Sequence, residues 1–547
     1  MEEESELQIY TKSRLAWEKV LDLNMTEDEL HSKAASAPHL VWKVLILDEY
    51  SEQSLATLFH LGDLRMHNIT LHIPLHAERD PLHNVMAIYV MEPTDRNISR
   101  LLQDCREHCY DHIQINFLHP ADSLIMQSLA AGLSSEGALH KLHRLYEQYL
   151  RYIYLEDNLF TLNGPSFQAL NEPGKSDSEV EMLLEQVAMS LFCMFHACGV
   201  WPIIRASKGV CEQVAERVAD LCGSVADSSQ HLSRPLLLLV DRHVDLPIML
   251  HHPWTYQSLA IDLFRTSLNK ILIPDNNPPV QELDKRRDNF WKEQSVVNFG
   301  DAIQNIDALY KDWLGKYQNI NMNLMKTMDT VSEVTEQKSQ VDLHMSLGTK
   351  IAHQIQKRSL DKFNELEENL MQKKRADIGE LLSKPVPEGI EAEVFENDKL
   401  RVQAIAYLTK SISELPDQGL QSVLTTITRQ EEEQTVSSFM KLADMVKSSI
   451  SGMVSMYPLT KLLHSALENK NKDLVYIDSK FRHSTQVYKR PFSDAVVFVL
   501  GGGCYSEYHN VLEYAKKSNK NIIYGASEIV NGTQFLTQLQ NLAKKSI

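Results

Sequence analysis

Short apolar segments of strand length recur through the first quarter of the chain, and helical segments separate them. The strand-like segments are VWKVLILD (41–48), ITLHIPL (69–75), MAIYVME (86–92) and IQINFL (113–118). Strands that alternate with helices form βαβ units, in which a parallel sheet is buried on both faces. The pattern therefore predicts an α/β domain with a parallel sheet that ends near residue 140.

The alternation resumes further along the chain. Residues 139–200 are predicted to be largely helical, and strand-like segments follow at 201–207 and 235–245. The same signature returns at 492–500 and 521–524, where it provides too few strands for a separate sheet. Because the ends of an inserted segment can lie close together in the host domain, we predict that these last strands complete the second sheet.

The segment between these strands is helical in pattern. Residues 280–384 contain no proline, and apolar residues recur at helical spacing. GKYQNIN (315–321) is polar, and we predict that it forms the turn of a helical hairpin. The overall expectation is two α/β domains with an all-α segment inserted into the second.

Composition narrows the classes of function. A formal net charge of −18 disfavours direct binding to nucleic acid or to anionic membranes. No apolar run reaches the roughly 20 residues that span a bilayer, and the acidic start MEEESELQIY is not a signal peptide. The seven cysteines, an odd number, suit reduced thiols in the cytoplasm. The composition does not exclude binding to protein partners or to small ligands.

Residues 496–507 (VVFVLGGGCYSE) are a strand that runs into three glycines. A P-loop requires G-x-x-x-x-G-K-[ST], and a dinucleotide-binding loop requires G-x-G-x-x-G. Ser506 stands where the last glycine of the second motif belongs, and no lysine follows before Lys516. Since glycines also permit a sharp turn with positive φ, we expect a structural turn here.

Four residues with metal-ligating side chains lie close together in sequence, namely Cys105, His108, Cys109 and His112. On a helix they would form one stripe, with the first and last about 10 Å apart along the axis. Zinc ligands must all lie roughly 2.0–2.3 Å from one ion. We therefore predict a partly buried helix face and no metal site.

A second cluster, Asp241, Arg242 and His243 followed by His251 and His252, has the residue types of a hydrolase centre. No G-x-S-x-G or H-E-x-x-H motif accompanies it. An Asp241–Arg242 ion pair that fixes a loop is the favoured interpretation. We predict no catalytic residue and no cofactor, and an enzyme dependent on a nucleotide or a metal is the alternative from another class.

Five long segments, in order along the chain, carry a family resemblance. They are VWKVLILDEYS, NITLHIPLHAERDP, RPLLLLVDRHVDLPIMLHHPWTYQSL, AVVFVLGGGCYSEYHNV and IIYGASEIVNGTQF. They resemble the SM family of syntaxin-binding membrane-fusion proteins, most closely its Sly branch, which acts between the endoplasmic reticulum and the Golgi.

The resemblance implies an arch-shaped fold of three domains. Two are Rossmann-like with parallel sheets, expected at residues 1–140 and at 141–258 with 470–547. The third is mostly helical and inserted, expected at 259–469, with a SNARE-binding hairpin near 297–355. The implied protein is a cytoplasmic monomer without enzymatic activity or cofactor, and it reaches ER and Golgi membranes only through SNAREs.

The implied function is to assist SNARE assembly in vesicle docking and fusion. The implied partners are a syntaxin-type Qa-SNARE and other SNAREs, with tethering complexes and small GTPases left open. A branch of the family that acts at endosomes or vacuoles is the alternative within the same class.

The resemblance also implies site residues. A pocket for the syntaxin N-terminal peptide falls on Met126, Leu129, Ala130 and Leu145, with Leu145 expected on the helix after the one that carries the other three. A groove for SNARE helices falls on the exposed side chains of Leu324, Met328, Val331 and Val334.

Two further features of the helical domain follow from the resemblance. Ser332 stands where many members have a proline, which argues against a proline-dependent bend in this chain. The lid-like helix of the Sly branch corresponds to residues 439–453.

Overall fold

The computed structural model describes most of the chain. The described residues are 7–26, 28–29, 42–225, 234–322, 328–374, 377–433, 456–470, 473–480, 488 and 490–545. All statements below concern these residues.

A five-stranded parallel sheet forms the first α/β unit, as the apolar pattern predicts. Its strand order is β2-β1-β3-β4-β5. The strands are β1 (Lys43–Leu47), β2 (Ile69–Pro74), β3 (Met86–Met91), β4 (His112–Phe117) and β5 (Leu142–Glu147). Helices α1 (Ile9–Leu21), α2 (Glu49–Ala56), α3 (Leu61–Met66), α4 (Asp95–Arg106) and α5 (Ser123–Ser135) precede or connect them.

The prediction that residues 139–200 are largely helical is wrong in its first part. Strand β5 pairs with β4, and two short strands of the second sheet follow directly. The edge position explains the miss, because four of the six residues of β5 are polar or aromatic and no buried apolar run marks the strand. The first sheet therefore extends beyond the predicted boundary at residue 140, to Glu147.

The second sheet has seven strands, in the order β13-β8-β9-β14-β15-β7-β6. The strands are β6 (Ile153–Glu156), β7 (Leu159–Thr161), β8 (Ile203–Ala206), β9 (Leu236–Asp241), β13 (Val475–Asp478), β14 (Asp494–Leu500) and β15 (Asn521–Ala526). Strand β14 lies between β9 and β15 and is parallel to both. The prediction that the last strands complete this sheet is confirmed.

The helices of this unit and of the insertion follow in chain order. Before the insertion lie α6 (Phe167–Asn171), α7 (Asp177–Cys198), α8 (Val210–Val225), α9 (Pro247–Leu250) and α10 (Tyr256–Leu263). The insertion contributes α11 (Asn289–Gln294), α12 (Phe299–Met322), α13 (Met328–Arg358), α14 (Leu360–Met371), α15 (Gly379–Leu382), α16 (Ala392–Leu408), α17 (Gln418–Glu433) and α18 (Pro458–Leu467). Helices α19 (Tyr505–Ser518) and α20 (Gly532–Lys545) close the chain.

A small antiparallel sheet stands at the start of the insertion, from β10 (Thr266–Ser267), β11 (Lys270–Leu272) and β12 (Val280–Glu282). The predicted turn at residues 315–321 is wrong, because helix α12 continues through this polar segment to Met322. With these bounds we propose domains at 1–147, at 148–258 with 470–547, and at 259–469.

One apolar core joins the parallel first sheet to the second sheet, in which β13 and β6 pair antiparallel with their neighbours. Trp17 of α1 and Leu191 of α7 belong to it, together with Leu45 of the first sheet and Leu237 of the second. Among the described helices, α7 is long and apolar enough to cross a membrane by length and composition alone. Because its apolar residues lie in this shared core, we assign it to the interior of the fold.

Buried charges join the inserted helices to the second unit. The backbone N–H of His252 donates to Glu367 (2.6 Å), its Nδ1 lies 2.6 Å from the same carboxylate, and its Nε2 lies 3.1 Å from Asp398. Arg358 also donates to Asp398 (2.9 and 2.5 Å). Burial and the nearby Arg401 oppose a charge on His252, but the two carboxylates outweigh them and raise its pKa above the usual value.

Arg401 completes this joint from helix α16. Its buried guanidinium donates to the carbonyl oxygens of Leu250 (2.7 Å) and His251 (2.9 Å) and to Asp262 (3.0 Å). Gly532, the first residue of α20, lies directly against it, and a Cβ there would stand 2.4 Å from the guanidinium carbon. The joint therefore requires glycine at this position.

We expect Gly532→Ala to lower the free energy of unfolding by about 1–3 kcal/mol, because the added methyl overlaps a fixed, buried side chain. Thermal unfolding should show the midpoint falling by roughly 1 °C for each kcal/mol, because the entropy of unfolding scales with the length of the chain. Gly62→Ala is the matched control, since Gly62 also lies in the first turn of a helix and a Cβ there meets nothing within 4 Å. Equal melting temperatures for the two variants would contradict the packing described for Arg401.

Candidate protein-binding surfaces

Helix α5 presents an outer face without charge. Its sequence SLIMQSLAAGLSS contains no ionisable side chain, and Asp122 caps its start by accepting from the N–H of Ile125 (2.8 Å). The helix packs closely on α4, since a Cβ on Gly132 would stand 2.3 Å from Leu102 Cδ1. This close contact with α4 fixes the position of the helix and of its uncharged outer face.

The four residues predicted for a peptide pocket fall on α5 and on the neighbouring edge strand β5. Leu129 is 2% exposed and belongs to the core, Met126 and Leu145 are half-buried and pack on the same core, and Ala130 is exposed. Leu145 lies on strand β5, in register with Ile115, so its expected position on a helix is wrong. We call these four residues the α5–β5 surface.

Two exposed leucines extend the apolar area that α5 presents. Leu124, in the first turn of α5, is 74% exposed, and Leu139 lies exposed just beyond the end of the helix. Sequence reasoning did not single them out. The run of 13 residues without charge was the available signal, because a solvated helix face normally carries charged side chains.

The structure describes only part of the predicted SNARE-helix groove. Leu324 and the side chains of Met328 and Val331 lie outside the described residues. The expectation of an exposed Val334 is wrong: the side chain is 9% exposed, and its carbonyl oxygen accepts from Trp313 Nε1 (3.1 Å). Val334 therefore lies where α12 and α13 pack on each other.

The backbone of α13 is helical through Ser332. This agrees with the absence of a helix-bending proline at that position. The segment predicted as a lid, residues 439–453, lies outside the described residues.

A row of aromatic side chains follows one face of helix α12. Tyr310 and Trp313 have ring centroids 6.1 Å apart, and Trp313 and Tyr317 stack at 5.3 Å. The two tyrosines are 37% and 45% exposed. Their spacing of three and four residues puts them on one face of a helix. Sequence reasoning missed this row because it placed a turn at residues 315–321. We call these three residues the α12 aromatic row.

The three glycines after β14 form the structural turn that the sequence predicts. Gly501 and Gly502 have φ values of +93° and +108°, in the region that favours glycine. A Cβ on Gly503 would stand 2.2 Å from the hydroxyl of Tyr524. Conformation and close packing thus account for all three.

The predicted ion pair between Asp241 and Arg242 does not form, because Arg242 pairs with a different carboxylate. Arg242 makes two bonds of 2.8 Å to Glu507, and both side chains are fully buried. Asp241 instead accepts from the N–H of His243 (2.9 Å). The pair links the end of β9 to α19, so the arginine fixes a loop as expected, but through a residue 265 positions away.

The predicted stripe of cysteines and histidines does not form. Helix α4 ends at Arg106, and His108 has a φ of +54°, so the four side chains do not share one helix face. Cys105 and Cys109 are buried in the core of the first unit. All seven cysteines carry free, buried thiols.

Among the described residues, one group has potential metal ligands in mutual reach. Ligand atoms of Asp104, Glu107 and Cys109 lie within 4.8 Å of one another. The carboxylate of Asp104 already accepts from Tyr89 (2.8 Å) and pairs with Arg100 (3.0 Å). Because its charge is matched locally, the group is explained without an ion.

The chain is similar over most of its length to a known protein family. The Sec1 family profile matches residues 43–538. A mouse relative named "Sec1 family domain-containing protein 1" is 29% identical over 92% of this chain and 94% of its own length. "Protein sly1" of Schizosaccharomyces pombe is 26% identical over 96% and 97% of the two chains.

Two solved structures superpose on nearly the whole chain. Sly1p, crystallised with an N-terminal peptide of Sed5p, has 26% identity and a TM-score of 0.78 over 98% of this chain and 99% of its own. Vps45 in complex with the Qa-SNARE Tlg2 has 17% identity and a TM-score of 0.76 over 98% of each, which shows the shared fold. The resemblance seen in the sequence is confirmed, and the chain belongs to the Sec1 family.

Proposed function

We propose that this protein is a SNARE chaperone of ER–Golgi traffic. It binds the N-terminal peptide of a Sed5-type Qa-SNARE on the α5–β5 surface and SNARE helices along the α12–α13 hairpin. The observation that carries the proposal is the superposition, over almost the full length of both chains, on Sly1p with its Sed5p peptide.

The α5–β5 surface has a suitable shape for an aromatic anchor of a short peptide. The small, exposed Ala130 leaves room above the buried Leu129, and the half-buried Met126 and Leu145 offer apolar walls. A site of this kind gains affinity from apolar contact with a single large side chain. No step in such recognition requires an ionisable group.

The α12 aromatic row is the described surface of the hairpin on which we place the SNARE helix. Exposed tyrosines supply large contact areas with little loss of side-chain entropy. A helix laid along this face would contact residues one turn apart. Holding two helices in this way lowers the entropic cost of their encounter and so speeds assembly.

A role at endosomes or vacuoles is the second candidate. Vps45 supports it only through the fold, at 17% identity, whereas relatives named Sly1 reach 26–29%.

For the enzyme alternative, the glycine turn, the Arg242–Glu507 pair and the Asp104 group are each accounted for by packing or by internal charge. We therefore propose a non-catalytic, cytoplasmic protein that reaches membranes through its SNAREs.

We expect Ala130→Lys to weaken binding of a Sed5-type N-terminal peptide at least tenfold, a loss of about 1.4 kcal/mol. The long side chain fills the space above Leu129 and places a charge on an apolar surface. Calorimetric titration with the synthetic peptide measures the effect. Ser128→Lys adds the same charge on the opposite, exposed side of α5 and should stay within about twofold.

Similar affinities of these two variants would place the peptide elsewhere. Leu129→Lys is a poor test, because Leu129 is 2% exposed and a lysine there destabilises the core itself.

The double variant Tyr310→Ser/Tyr317→Ser should weaken binding of a Qa-SNARE helical motif about tenfold or more and leave N-terminal peptide binding unchanged. Fluorescence anisotropy with each labelled fragment separates the two effects. Lys311→Ser/Gln318→Ser alters exposed residues one position further along α12 and serves as the control. Loss of helix binding in the control alone would locate the groove on another face.

A further inference from the structure

A highly charged segment joins β12 to α11 and contacts three parts of the molecule. It runs from Glu282 to Asp288 with the sequence ELDKRRD, in which six of seven residues are charged. We call it the strap. Its contacts with each part of the molecule differ in strength.

The contacts of the strap with the first unit and with α1 are charged and partly exposed. His60 lies 3.5 Å from Glu282, and Asp63 lies 3.7 Å from Arg287. The guanidinium of Arg286 stacks over the ring of Tyr10, with its carbon 3.1 Å from the centroid. Apart from this stacking, the end of the strap that faces the first unit is held by the long Arg287–Asp63 ion pair and the His60–Glu282 contact.

The contacts with the second unit come from the middle of the strap. Lys285 Nζ lies 2.5 Å from Glu156, a carboxylate that also accepts from Gln257 (2.6 Å) and Tyr508 (2.9 Å). Arg286 donates to the hydroxyl of Tyr154 (3.3 Å). This part of the strap is therefore anchored in a buried polar network.

The contacts with the hairpin are short, and one of them is buried. The carbonyl oxygen of Arg287 accepts from Gln340 (3.1 Å), and Asp288 lies 2.8 Å from Nε2 of the buried His344. Both partners are on α13. Asp288 also caps α11 by accepting from the N–H of Trp291 (2.9 Å). The hairpin end of the strap is thus fixed by the core at the hairpin base.

A polar crevice lies beneath the loose end of the strap. It has a volume of about 90 Å³, and its walls include Tyr10, His60, Asp63, Arg286 and Arg287. A volume of this size admits several water molecules, which need roughly 10–15 Å³ each by the same measure. Little apolar packing therefore holds the strap against the first unit.

We propose that the strap is a charge-held latch that limits the movement which the shared apolar core still allows between the first unit and the hairpin base. It opens at its first-unit end and stays attached to α13. Exposed ion pairs are individually weak and are screened by salt, so the latch loosens as ionic strength rises. The proposal goes beyond the function above because it requires no SNARE.

The test measures the distance between the first unit and the hairpin directly. Spin labels are placed at Glu52→Cys on α2 and Ala308→Cys on α12, two exposed positions in a protein whose native thiols are buried. Pulsed dipolar spectroscopy at about 50 mM and about 500 mM salt spans a threefold change in screening length. We expect a narrow distance distribution at low salt and a broad or shifted one at high salt.

Arg286→Gln/Arg287→Gln should give the broad distribution already at low salt and lose the salt response. Arg106→Gln, which breaks an exposed pair with Glu136 on the first unit, should behave as the unaltered chain. Hydrogen exchange at the amides of α1 should rise about threefold or more in the double variant alone, while exchange at residues 340–344, where the strap stays attached, should not change.

The unaltered chain tests the latch even if the double variant folds poorly. A distance distribution that does not change with salt would overturn the proposal. Exchange that rises only within the strap itself, with the distances unchanged, would also overturn it.

Discussion

The pairing of β9 with β14 is the constraint on which the rest of the molecule depends. These strands form the centre of the second sheet, in register from Leu236 opposite Ala495 to Asp241 opposite Leu500. More than 250 residues separate them in sequence, so the two ends of the inserted segment must lie close together in the fold. Closing so long a loop costs entropy that grows only slowly with length, and the buried strands and the Arg242–Glu507 pair offset it. The inserted helices are therefore held at both ends by one sheet.

This closure is consistent with the two separate binding surfaces that we propose. The joint around Arg401 and His252 fixes the inserted helices to the second unit, and the shared core around Trp17 fixes the two sheets to each other. The α5–β5 surface and the α12 aromatic row lie outside these cores. A polypeptide bound at either proposed surface would leave these cores undisturbed.

Both proposed surfaces are apolar or aromatic. Buried charges such as Arg242 and His252 face carboxylates, and the seven thiols are buried. This distribution is consistent with the recognition of polypeptides by shape that we propose. The strap is the exception, since its loose end is held by polar contacts and by the stacking of Arg286 on Tyr10. It lies where the first unit meets the hairpin base.

Sequence reasoning succeeded where the signal was local or strongly periodic. The central buried strands of both sheets, the insertion and the glycine turn at Gly501 were all predictable, but the short buried strands β6 and β7 were predicted as helix. Edge strand β5 was missed because its two leucines stand three positions apart among polar residues, a spacing typical of an exposed helix. The partner of Arg242 was missed because Glu507 lies far away in sequence. Val334 was misassigned because the family resemblance locates the hairpin without showing which of its apolar side chains a neighbouring helix covers.

The most direct test of the central claim compares three fragments of a Sed5-type Qa-SNARE by calorimetry: the N-terminal peptide, the helical SNARE motif, and the cytosolic region that contains both. If this protein presents two polypeptide-binding surfaces, the cytosolic region should bind roughly 10²–10⁴-fold more tightly than the N-terminal peptide or the SNARE motif alone. The reason is that the second contact becomes intramolecular once the first has formed. A cytosolic region that binds no more tightly than the peptide alone would contradict the account.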